Sequence, residues 1–114
     1  MSKIERTWGY YQVLHEDGRE VQLRELTVNP GQRLTLQKHD KRSEFWFVTH
    51  GKATVYTMDS SSDIDLMGVF GRHQHVWIPR HEWHQLTNEG TEPLRMIEIQ
   101  YGEECNVDDV VMVG

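Results

Sequence analysis

The chain has almost no alanine, one cysteine, no long apolar run and no excess of positive charge, and each shortage removes a class of protein. A single Ala, at position 53, stands against eleven Val, eight Thr and eleven aromatics in 114 residues. That balance disfavours helix and favours pleated strand, so a helical bundle is excluded. Cys105 is alone; it can form no internal disulfide, and nothing beside it marks a nucleophile. No stretch approaches the ~18 apolar residues of a membrane span, and the first six residues lack the apolar core of a signal peptide, so a cytoplasmic protein without a membrane partner is expected. Eighteen acids against twelve Lys and Arg give a net charge of −6, which opposes nucleic acid and anionic surfaces as general partners. An anionic ligand would need a local basic patch. Glycine-rich nucleotide loops, a serine-hydrolase elbow and paired cysteines are also missing.

Short strand-like runs bounded by turn residues fill the chain. The expected strands are Tyr10–Leu14, Val21–Val28, Arg33–Gln37, Phe45–Thr49, Ala53–Thr57, His75–Ile78, Gln85–Thr87 and Leu94–Gln100. Turns are expected at Glu16-Asp17-Gly18, Asn29-Pro30-Gly31, His50-Gly51, Pro79 to Glu82 and Asn88-Glu89-Gly90. Asp59 to Asp65 reads as an exposed hairpin loop, and Asn106 to Met112 as either a strand or a helical turn. There is no repeat and no internal boundary, which predicts one all-β domain over residues 1–114. Strands this short and numerous close most economically into a barrel or a double-sheet jelly roll, either of which can enclose a ligand.

Six of the seven histidines fall between positions 39 and 84. Gly31 is followed after five residues by Gln37, after one by His39, after four by Glu44 and after six by Gly51. Farther on, Pro79 is followed after one residue by His81, after two by His84 and after three by Asn88. On an extended strand Gln37 and His39 share a face, Glu44 returns on the next strand, and His84 arrives from a separate hairpin. Two imidazoles, a carboxylate and an amide oxygen suit a divalent cation, with zinc the first expectation and Mn, Fe(II), Co or Ni open. His73 and His75 fit either supporting or surface roles, His15 and His50 lie in solvated turns, and His81 sits at a turn. Trp46 and Trp77 read as wall or core residues, and Trp83 as packing or a pocket mouth.

Arg33, Lys38, Lys41 and Arg42 form a basic strip among these candidates, which suggests an anion held beside the metal. Arg42 is the foremost candidate for it, with Lys38 and Arg80 as further substrate contacts. Met96, Glu98 and Gln100 share one face of the last long strand. Glu98 is accordingly a candidate base, weighed against a solvated carboxylate on an outer face, and Gln100 a candidate substrate contact.

At these residues the chain resembles the cupin superfamily, and within it the type II mannose-6-phosphate isomerase domain. The likeness is carried by Arg6-Thr7-Trp8-Gly9-Tyr10, Pro30 to Gln37, Arg42-Ser43-Glu44-Phe45-Trp46 and Pro93 to Gly102. It implies a metal-dependent isomerase interconverting mannose 6-phosphate and fructose 6-phosphate through an enediol, with Gln37, His39, Glu44 and His84 at the metal-ligand positions and Arg42 at the arginine of the family's His-rich stretch. Such domains usually form the C-terminal part of a bifunctional guanylyltransferase/isomerase. Asp40, Lys41 and Phe45 stand where that family commonly has histidine, and His73 and His81 where glycine is common. A sugar- or metabolite-binding cupin without turnover and an Fe(II) oxygenase are the rival expectations. Exposed strands predict a homodimer.

Overall fold

In the computed structural model, which describes residues 2–106 and 108–112, the chain is built from strands and turns with no helix among the described residues. The first six strands are β1 (Ile4–Arg6), β2 (Gly9–Asp17), β3 (Val21–Val28), β4 (Gln37–Lys38), β5 (Arg42–His50) and β6 (Ala53–Met58). The rest are β7 (Ile64–Phe70), β8 (His75–Ile78), β9 (Trp83–Thr87), β10 (Leu94–Gly102) and β11 (Val111–Met112). They form two antiparallel sheets, β1-β2-β3-β10-β5-β8 and β11-β4-β9-β6-β7, facing each other as a jelly-roll barrel.

Alternation of side chains decides what lies inside. On β5, Glu44, Trp46 and Val48 are buried while Phe45 and Phe47 are only half-buried; on β10, Leu94, Met96, Glu98 and Gln100 are buried and Arg95 and Tyr101 are exposed. Leu26, Val28, Val48, Val55, Leu86, Leu94 and Met96 close the apolar part of the interior. The turn from β5 to β6 requires glycine: Gly51 has φ +78°, and a Cβ there would meet the Pro93 carbonyl oxygen at 2.7 Å.

Val21–Val28 and His75–Ile78 form strands with the expected bounds, and most of the others extend by a few residues. Arg33–Gln37 does not form the expected continuous strand. Arg33 makes an isolated bridge to Thr87, the Leu34 N–H donates to the Leu86 carbonyl at 2.9 Å, and regular pairing begins only at Gln37. Strand β7 was not expected, because on this sheet edge its apolar residues do not sort cleanly by face: Met67 and Phe70 pack against the core while Ile64, Leu66 and Val69 are exposed. The expected loop before it shortens, since Ile64 and Asp65 already belong to β7. At the C-terminal end Val111–Met112 pairs with β4 as a strand.

Candidate metal centre

Cross-strand register brings the site together at one end of the interior. Gln37 on β4 pairs with His84 on β9; on β10, Gln100 pairs with Glu44, and Glu98 pairs with Trp46 on one side and Arg24 of β3 on the other. His39, Glu44 and His84 are buried, and one ligand atom from each lies within 4.8 Å of the others. His39 Nε2 is 3.2 Å from Glu44 Oε2, and His84 Nε2 is 3.8 Å from Glu44 Oε1. With Gln37 they line an inner cavity of about 20 Å³, room for one water-sized group.

The opposite edges of both imidazoles are fixed by carbonyls, which can only accept. His39 Nδ1 donates to the Asp109 carbonyl at 2.6 Å, and His84 Nδ1 to the Glu82 carbonyl at 3.0 Å. Each Nε2 therefore turns a lone pair toward the Glu44 carboxylate. His84 Nε2 is buried with no hydrogen-bond partner. A buried acceptor that faces a carboxylate with no donor in the gap is suited by a cation between them, so the donor set fits a divalent metal. Burial, with the Arg42 charge adding to it, lowers His39 to about 4, which keeps the ring neutral and able to ligate.

Arg42 is inside this cluster. Its Nε donates to Glu44 Oε2 at 3.1 Å, its Nη2 to His39 Nε2 at 3.2 Å and its Nη1 to the Asn106 carbonyl at 3.0 Å. Glu98 is buried too, so the alternative of a solvated outer carboxylate is overturned. Its Oε1 accepts from Arg24 Nε at 2.7 Å and from Gln100 Nε2 at 2.8 Å. Trp46 Nε1 lies 3.1 Å from both Glu98 Oε2 and Glu44 Oε1 and donates to the two carboxylates together. Burial raises the Glu98 carboxyl above the ordinary range, with Glu44 reinforcing the effect against the pull of Arg24. Burial acts on Glu44 in the same sense, but neighbouring positive charge, Arg42 and Arg24 included, outweighs it and holds that carboxylate below the ordinary range.

Three expected substrate contacts lie outside this cavity. Lys38 alternates to the other face of β4 from Gln37 and rests its Nζ 5.2 Å from the Trp83 ring centroid. Arg80 pairs with Glu103 at 3.3 Å on the surface. Gln100 stands behind Glu98 and supports it. Sequence reasoning missed Arg24, the bridging indole of Trp46 and the orienting Asp109. The available signal for Arg24 was its place on the same face of β3 as Leu26 and Val28, where a charged residue requires a partner. Two larger hollows, of about 550 and 430 Å³, lie elsewhere and contain none of these groups.

Residues 1–114 match the protein family described as Mannose-6-phosphate isomerase C-terminal. The chain belongs to that family. Mannose-1-phosphate guanylyltransferase of Escherichia coli K12 is 38% identical over 109 residues, covering 96% of this chain and 21% of that protein. Alginate biosynthesis protein AlgA of Pseudomonas aeruginosa is 36% identical over 108 residues, covering 95% and 21%. The chain thus spans about a fifth of the length of these relatives. Oxalate decarboxylase from Bacillus subtilis superposes with a TM-score of 0.80 at 20% identity, over 99% of this chain and 30% of that one, which establishes the cupin jelly roll as the fold. His81, on the turn before β9, pairs with Asp40 at the surface, Nδ1 lying 3.1 Å from Oδ1.

Proposed function

We propose that residues 1–114 act as one metal-dependent aldose–ketose isomerase domain interconverting mannose 6-phosphate and fructose 6-phosphate. The observation that carries this reading is the unpartnered, buried His84 Nε2, aimed with His39 and Glu44 at a cavity that also holds the raised Glu98 carboxyl. Gln37, His39, Glu44 and His84 would hold the metal, with zinc the first expectation. A bound divalent ion would polarise the adjacent carbonyl and hydroxyl oxygens of the open-chain sugar.

The chain's own groups supply the proton chemistry. Isomerisation moves a proton between neighbouring carbons through an enediol, and a carboxyl raised above the ordinary range is suited to both taking and returning it. Arg24 and Gln100 occupy Oε1 of Glu98, leaving Oε2, which shares the Trp46 N–H with Glu44, as the atom that exchanges the proton. Arg42, fixed by Glu44 and the Asn106 carbonyl, orients the sugar oxygens and stabilises their developing negative charge.

Elemental analysis of protein purified without added metal, followed by isomerisation assays with zinc, manganese, iron, cobalt and nickel, tests the reading. Metal at one equivalent and turnover lost in Glu98→Gln are expected. Saturable sugar-phosphate binding without turnover under every metal would reduce the domain to a binding cupin. A second reading draws on His39, Glu44 and His84 as a two-His-one-carboxylate set, the arrangement of Fe(II) oxygenases; oxygen consumption by the iron-loaded protein distinguishes it.

The proposed assembly is a homodimer. Leu23, Ile99, Phe45 and Trp77 form one outward row across β3-β10-β5-β8, with Trp77 53% exposed on the edge strand. A second copy covering this row is the expected occupant, and sedimentation that gives a monomer excludes it.

A further inference from the structure

The inner cavity adjoins an antechamber of about 340 Å³ with which it shares Arg24, Gln37, His39 and Arg42. Trp8 and Tyr11 line one side of this outer space, and Val110 and Met112 close another. Three guanidinium groups face it, from β1, β3 and β5. Two are already committed: Arg24 to Glu98 at 2.7 Å and Arg42 to Glu44 at 3.1 Å.

Arg6 differs from both. Its contacts are neutral: Nη1 donates to the Glu5 carbonyl at 2.9 Å, Nη2 reaches the Tyr11 hydroxyl at 3.5 Å, and its guanidinium carbon lies 5.4 Å from the Tyr11 ring centroid. No carboxylate pairs with it among the described residues. A guanidinium whose N–H groups are already taken keeps its charge, which can act on oxygens beside it, but has few donors left for the two-pronged grip of a phosphate, whereas an unpaired and exposed one keeps its donors free in the fork geometry that phosphate accepts. The strip from Arg33 to Lys41 does not compete for the role. Arg33 lines other hollows, Lys38 lies against Trp83, and Lys41 pairs with Glu104 at 3.4 Å.

We infer that Arg6 is the anchor for a phosphate monoester in this antechamber, setting the substrate with its phosphate at the mouth and its reacting carbons at the His39–Glu44–His84 cluster. This rests on the isomerase reading and adds a specificity to it. The antechamber is lined by the ligands Gln37 and His39 as well as by Arg6, so a sugar whose phosphate is on the carbon far from the reacting pair can reach both places at once. One phosphorylated at the reacting end cannot. Trp8 supplies an apolar wall for the sugar between them.

The test uses inorganic phosphate as probe, with calorimetry on the metal-loaded full chain and its Arg6→Ala, Arg6→Lys and Lys38→Ala variants. Loss of one charge-assisted contact predicts phosphate binding at least about tenfold weaker in Arg6→Ala. Binding should be partly restored in Arg6→Lys and unchanged in Lys38→Ala, with metal content equal throughout. Wild-type protein that binds no phosphate, equal affinity in Arg6→Ala, or an equal loss in Lys38→Ala would overturn the inference. Phosphate affinity that depends on Arg6 in a protein without isomerase turnover would retain the anion site and remove the isomerase reading instead.

Discussion

Along β5 the buried side chains run from Arg42 and Glu44 through Trp46 to Val48, and along β10 from Gln100 and Glu98 to Met96 and Leu94. The same two strands therefore build a polar end and an apolar end of one interior. At the apolar end, burial removes hydrocarbon from water and stabilises the fold. At the polar end, burial works against each group unless a partner is found, and Glu98 meets that demand with Arg24, Trp46 and Gln100. His84 Nε2 does not. An interior that satisfies its other site groups and leaves that atom bare is arranged for something to be bound there.

Exchanging the two kinds of damage gives the largest effects. His84→Ala removes a ligand and should weaken zinc binding well beyond the roughly 10–100-fold typical of losing a supporting contact, while the metal-free fold persists, because the ring gives up only its Nδ1 bond to the Glu82 carbonyl and its Nε2 had no partner to lose. Leu94→Ala, at a fully buried site of the apolar end, should cost about 2–5 kcal/mol and leave zinc stoichiometry intact. Metal titration and urea unfolding of both variants decide it. Full metal occupancy in His84→Ala would remove the site, and joint loss of metal and stability in both variants would erase the distinction between the two ends.

Acid should act on the polar end through His39. In metal-free protein His39 is held at about 4, below the ~6.5 of an unfolded chain. The unfolded chain thus takes up this proton first as the pH falls. Stability from neutral His39 is complete above about pH 6.5 and is lost by about pH 4, amounting to about 3 kcal/mol across that window. Unfolding of wild type and His39→Gln at pH 7 and pH 4.5 measures it; identical losses in the two proteins would show that His39 is not the responsible group.

What could be read from the sequence divides along similar lines. Gln37, His39 and Glu44 fall within eight positions, so extended alternation at Gln37 and His39 and one short turn to β5 bring them together, as alternation alone places the buried face of β10. That rule assigns a side chain to a face without naming its neighbour. Arg24 meets Glu98 across 74 positions, Trp46 meets Glu98 across 52, and His39 meets Asp109 across 70; these contacts exist only once register is set. The basic strip misled for a related reason. Its charges are adjacent in sequence, but alternation and turns send Lys38 and Lys41 to outer partners, and the guanidinium groups of the antechamber arrive from three separate strands.

Asp109 gives a smaller effect on the same end. Its carboxylate accepts the backbone N–H groups of Asp40 at 3.1 Å and Lys41 at 2.8 Å, so it locks the segment that carries His39 to the carbonyl that orients that ring. Asp109→Ala should weaken zinc binding about 10–100-fold, and Asp109→Asn, which keeps one acceptor oxygen, should recover part of it. Unchanged zinc affinity in Asp109→Ala would mean that the ring needs no such support.

The smallest effect concerns two turns whose backbone is at odds with their sequence. His73 and His81 have φ of +67° and +68°. Each is the third residue of a turn closed by a bond to the first residue's carbonyl, Gln74 N–H to Gly71 at 3.0 Å and Glu82 N–H to Pro79 at 3.4 Å. That position of such a turn favours glycine, because a Cβ is crowded in the left-handed region. His81 gains the surface contact with Asp40 in return, and exposed ion pairs of this kind contribute little. His81→Gly should therefore raise stability by up to about 1 kcal/mol, the relief of strain being partly offset by the entropy of glycine in the unfolded chain. Zinc affinity should hold, because the His81 N–H still donates to the His39 carbonyl at 2.8 Å whatever the side chain. A loss of stability in His81→Gly would show instead that the imidazole's pairing with Asp40 outweighs the strain of its backbone.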